Sequence, residues 1–222
     1  NAHTSIKIMP DLFTENYRSH GIDLEALTEL TTMIGDDAKT RGRNLGPGTP
    51  SQEPWESHYT YFWEELAVSY DFMESVSPEK IHVNSEAHFL STSWYRDRNM
   101  SPDYVRSTFW LATLMGMDAS YSWFWARDPD GSPEDRLEGN LDFADPALAG
   151  SFADATHTQP IVANELTQVM YDLNTFSEPL MALRNQRRSI RLFYSETSAI
   201  NKPNHMSEQF ELYESLFFEG FP

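Results

Sequence analysis

Cysteine is absent. That excludes disulfides, thiolate chemistry and cysteine-ligated metals, and it leaves the compartment open. Positive charge is scarce: 16 Lys and Arg stand against 34 Asp and Glu, for a net charge of −18. Such a surface repels phosphate backbones and anionic headgroups, which argues against nucleic acid and membrane partners. No stretch approaches the ~20 apolar residues of a membrane-spanning helix. The opening "NAHTSIKIMP" has neither the basic nor the apolar region of a signal peptide. It lacks an initiator Met and runs almost at once into a strand pattern, so further residues are expected before it. The motifs GxGxxG, GxxxxGK[ST], HExxH and GxSxG are all missing, and "PDGSPED" lacks the spacing of a calcium loop. No cofactor and no metal are expected.

What is present is a globular composition. Hydrophobic residues are 40% and aromatics 14% of 222 residues, enough for one large domain or parts of two. Strand-like runs alternate with helical patterns, which implies βα units around a parallel sheet. "TSIKIMP" (4–10), "TMIGDDA" with Asp36 and Asp37 at its end, "IHVNSEAH", "MDASYSWFWA" and "SIRLFYS" (189–195) read as strands. Leu24, Leu27 and Leu30 recur at helical spacing behind the N-cap candidate Asp23. A second helix runs up to Pro78. A third has Ser101 as N-cap, Pro102 at its first position and Gly116 past its end. Further helical patterns follow at "PIVANELTQVMYDLNTF" and "SEQFELYESLFFEG". Two long loops, 38–60 and 127–158, each follow a strand and precede a helix. They therefore lie at the carboxyl edge of the sheet, where α/β folds carry their sites.

The stretch "IHVNSEAHFL" (81–90) poses the chemical question. By strand alternation His82, Asn84, Glu86 and His88 share one face. A parallel strand is normally apolar on both sides, and a buried carboxylate is costly unless paired, so a site is one explanation for Glu86. A solvated Glu just past the strand end is the other. His82, Glu86 and His88 cannot share a metal, because positions six apart on a strand are about 20 Å apart. Tyr121, Trp123 and Trp125 also share a face, and Trp94 and Tyr95 form a doublet; both groups read equally as core or as a platform for a sugar ring. Arg127, Asp128 and Asp130 open the second long loop. Asn164 and Glu165 fall within a helical pattern and read as structural.

In order and spacing, these pieces resemble the second half of a glycoside hydrolase of family 42, the β-galactosidase-like branch of the clan A barrels. "TSIKIMPDLF", "TMIGDDA", "IHVNSEAH" and "MDASYSWFWAR" are similar to barrel strands five to eight, and "RSIRLFYSETSAI" resembles the start of the domain after the barrel. The resemblance implies an α/β fold: the second half of a (βα)8 TIM barrel over 1–187, then the start of a Rossmann- or flavodoxin-like domain over 188–222. It implies a retaining glycosidase for β-galactosides or modified, galactan-derived oligosaccharides, with Glu86 as nucleophile. Asn84, His88, Trp94, Trp123, Trp125, Arg127 and Glu134 would line the sugar site. Partners would be the oligosaccharide, the missing amino-terminal half of the barrel, and copies of the chain in a trimer. The clan's acid/base Glu follows an Asn at the end of strand four, before this sequence begins. One departure stands out: the family pairs a Glu with a His three residues on, but here Glu134 is followed by Leu137. The alternative is a non-catalytic sugar-binding or assembly polypeptide without the acid/base residue.

Overall fold

The structure, a computed structural model, describes residues 2–14, 21–38, 63–87, 101–122 and 160–221. Four strands, β1 (Ser5–Ile8), β2 (Met33–Asp36), β3 (Ile81–Ala87) and β4 (Ala119–Ser122), pair in parallel in the order 1-2-3-4. Helices α1 (Asp11–Thr14), α2 (Leu24–Leu30), α3 (Trp63–Val76) and α4 (Pro102–Met115) fall between the strands. Helices α5 (Pro160–Thr175), α6 (Ser177–Arg184), α7 (Glu196–Asn201) and α8 (His205–Phe218) come after them. Consecutive parallel strands joined by right-handed crossovers put their helices on one side of the sheet. This is the arrangement of a barrel sector; a doubly wound sheet reverses its strand order at a switch point. The chain is thus an α/β protein with a parallel four-stranded sheet, consistent with part of a TIM barrel.

Local chemistry sets the helix ends where the sequence marks them. Asp23 Oδ1 accepts from the Ala26 amide at 3.0 Å and starts α2. Ser101 Oγ accepts from Asp103 N at 3.2 Å, with Pro102 opening α4. Gly116 ends α4 at φ 140°, a backbone angle that side chains resist. The layer between sheet and helices is mainly apolar: Ile8 and Ile34 join Leu66, Tyr70, Val105, Phe109, Val162 and Val169 in one cluster.

At the opposite, amino-terminal edge, Arg184 of α6 ties three elements together. Its guanidinium, 6% exposed, pairs with Asp118 at 2.8 Å and Glu74 at 3.4 Å, and donates to the Gly116 carbonyl at 3.0 Å. Removing a buried partner strands the other charges. Arg184→Met is expected to cost about 2–3 kcal/mol of stability, read by urea unfolding; a loss under about 1 kcal/mol would mean that solvent screens the cluster as it does surface pairs.

Two expectations change. The strand expected over 189–195 is not formed: residues 187–195 belong to no helix or strand and have no ladder partner among the described residues. A strand exists only with a neighbour to take its backbone hydrogen bonds, and here Phe193 is 81% exposed. Helices α7 and α8 follow, packing Ala199, Met206 and Phe210 into a small second cluster. The other change concerns the faces of β3 and belongs to the site.

Candidate active site

Register fixes which side chains share a face. Lys7, Gly35 and Val83 stand level on three adjacent strands, and so do Ile8, Asp36 and Asn84 one residue on. The second row faces α3: Tyr70 donates to Asp36 Oδ1 at 3.1 Å. His82 points the same way. Its Nε2 donates to the Ser77 carbonyl at 3.1 Å, and Nδ1 lies 3.3 Å from the Glu74 carboxylate without hydrogen-bond geometry. His82 and Asn84 are both fully buried. The first row is on the other face, where Lys7 and Tyr121 are exposed.

Strict alternation would put Glu86 beside Asn84. It does not lie there. The β3–β4 register runs Asn84 to Ser120 and then Ala87 to Ser122, so three steps on β3 match two on β4. That extra residue is a β-bulge, and a bulge re-aims the side chains that follow it. Glu86 accordingly reaches Lys7, on the face away from α3, and its side chain is 22% exposed. The shared polar face expected for His82, Asn84 and Glu86 is therefore corrected: the two buried residues face the helix layer and Glu86 faces the open side. His88 lies outside the described residues.

The bulge is held from β2. Asn84 Nδ2 donates to the Ala38 carbonyl at 2.8 Å, while Asn84 Oδ1 accepts from the Glu86 amide at 3.3 Å. Ser85 Oγ donates to the Asp36 carbonyl at 2.9 Å. Asn84 thus acts on Glu86 through its backbone. Asp36, with no exposed surface, also accepts from the Ala38 amide at 2.8 Å. Burial pushes its carboxyl up to about 7, and the neighbouring Asp37 charge adds to this; the Ala38 and Tyr70 donors oppose it. Burial likewise raises Tyr70 well above its ordinary value, with the Asp36 charge second. On the open face Lys7 contacts Glu86 and lies 3.8 Å from Asp37. Among the described residues no cluster of three His, Asp or Glu could hold a metal.

Trp94, Trp123, Trp125, Arg127, Glu134 and Leu137 also lie outside the described residues. Glu165 of the Asn164-Glu165 pair has a structural partner, Arg106 on α4, at 2.6 Å. The sequence reading missed Lys7, Asp36 and Tyr70 as parts of the site. The available signal was a single cation amid the apolar residues of "SIKI".

Among solved structures, an apo GH42 exo-carrageenase from Bacteroides ovatus matches all of this chain at 40% identity, with a TM-score of 0.81. The chain has a GH42-like fold and corresponds to a partial segment of that protein. It spans 28% of the length of that neighbour. No protein-family model matches it. No curated protein matches it either. In this family 42-like segment, Glu86 stands at the carboxyl end of the third described strand, the edge where α/β barrels carry their chemistry.

Proposed function

We propose that the complete polypeptide is a retaining glycoside hydrolase that acts on galactan-derived oligosaccharides, with Glu86 as its nucleophile. One observation carries the reading: a bulge turns Glu86 onto the open face at the carboxyl edge of a parallel sheet, in a chain 40% identical to a family 42 enzyme over its whole length. Retention needs a second carboxyl group about 5–5.5 Å away to protonate the leaving oxygen. In this reading that group comes from the polypeptide preceding residue 1, along with the first four barrel strands. Residues 1–187 supply strands five to eight, and 188–222 lead into the following α/β domain. Alone, these 222 residues would be inactive. A trimer, with the oligosaccharide as substrate, completes the reading.

The substrate is read as a modified galactan. The neighbour is named an exo-carrageenase, and carrageenan is a galactan. Leu137, where the family resemblance calls for His, cannot hydrogen-bond a sugar hydroxyl, and a site built around such a bond discriminates strongly when it is lost. Trp94, Trp123, Trp125, Arg127, Glu134 and His88 are assigned to the sugar subsite on the resemblance. The test is the complete polypeptide against aryl β-galactoside, β-glucoside and β-mannoside and against carrageenan oligosaccharides, with product anomers followed by NMR. The expected result is the highest kcat/KM on carrageenan oligosaccharides, with retained configuration. A plain β-galactoside preferred by a wide margin would overturn the modified-galactan assignment, and inverted product would overturn the mechanism.

A further inference from the structure

We propose that Lys7 is a positioning residue for Glu86, holding its carboxylate ionised and in one orientation on the open face of the sheet. The proposal rests on the reading of Glu86 as nucleophile.

Lys7 starts on β1 and Glu86 on β3, with β2 between them. Adjacent strands are about 4.8 Å apart, so the two backbones are separated by nearly ten ångströms. A lysine can cross that gap only if β2 puts nothing in its way. The residue of β2 level with Lys7 is Gly35. It has no side chain, and it could not easily carry one: a Cβ there would meet the Ile6 carbonyl oxygen at 2.9 Å. The close approach of β1 and β2 and the open path for Lys7 therefore have the same cause. On the far side the ammonium touches Glu86, and on the near side Asp37, 3% exposed, lies 3.8 Å away. Asp37 follows directly on Asp36, whose carbonyl accepts from Ser85 in the bulge. So one cation joins the end of β2 to the residue that the bulge presents.

Among the described residues, the charged groups meeting here are Lys7 from β1, Asp37 after β2 and Glu86 from β3; Asp36 and Tyr70 lie on the helix side. Two carboxylates near one ammonium favour an ionised pair over a shared proton. A nucleophile must also be held near its attack geometry, and about 1 Å of displacement can cost a hundredfold. An ammonium contact supplies both conditions.

The experiment uses the complete polypeptide with Lys7→Met, Lys7→Arg and Glu86→Ala. Lys7→Met is expected to lose roughly a hundredfold in kcat, with KM nearly unchanged. The acid limb of its kcat/KM profile should move up by about one pH unit, as loss of a neighbouring cation requires. Lys7→Arg should restore most of kcat. A merely structural lysine would lower the amount of folded enzyme and leave the acid limb where it was; that result would overturn the proposal. A second measurement does not depend on turnover. Lysines are reductively methylated with an isotopic label, and the Lys7 NMR signal is identified by its loss in Lys7→Arg. In Glu86→Gln that signal should titrate at lower pH than in the parent. An unmoved signal would overturn the ion pair. Full turnover in Glu86→Ala would instead overturn the nucleophile reading, whatever the Lys7 signal does.

Discussion

Glu86→Ala in the complete polypeptide loses at least about a thousandfold in turnover, because the covalent route disappears with the carboxylate. Added azide restores part of the rate by attacking the anomeric carbon from the side Glu86 vacates, and it yields the glycosyl azide of opposite configuration. The fold is expected to survive, since Glu86 is partly exposed and the bulge is held through the Asn84 and Ser85 side chains and the Glu86 backbone amide. The checks are aryl glycoside hydrolysis with and without azide, and a melting curve. Near-parent turnover without azide would reject Glu86 as the nucleophile.

Asp36→Asn changes the pH dependence of stability. Asp36 is fully buried, and burial raises its carboxyl from 3.8 to about 7. The folded chain therefore holds this proton more tightly than the unfolded one. Stability from this group is complete below about pH 4, falls as pH rises, and is lost once pH passes about 7. Three units at about 1.4 kcal/mol each give a total near 4 kcal/mol. Asparagine keeps an acceptor oxygen for Tyr70 and Ala38 but has no proton to lose. The variant is expected to gain on the parent through this window and to be the more stable protein at pH 8. Urea unfolding of both proteins at pH 5 and pH 8 reads the effect. An equal difference at the two pH values would mean that Asp36 does not titrate between them.

What could be read in advance was local. The caps Asp23 and Ser101, Pro102 and Gly116 act within three or four residues, so their chemistry is visible in the string. The four strands were legible as short apolar runs between helical periods, and the family from their order. The bulge was not legible. No Gly or Pro marks Ser85 and Glu86, and only the register against β4 reveals the extra residue. Alternation alone thus placed Glu86 on the side of His82 and Asn84. The apolar run at 189–195 failed for the opposite reason: a strand-like pattern says nothing of whether a partner strand is there. Contacts such as Asp36 with Tyr70, or Lys7 with Glu86, join residues 34 and 79 positions apart. No periodicity encodes them.

The central claim is that Glu86 attacks the sugar, and the most direct measurement is to catch it doing so. The complete polypeptide is incubated with a fluorinated galactoside bearing an activated leaving group, which forms the glycosyl ester quickly and hydrolyses it slowly. Proteolysis and mass spectrometry then locate the label. The account predicts one fluoroglycosyl group, on Glu86, within the peptide containing "IHVNSEAHFL". A label on any other carboxylate would contradict it.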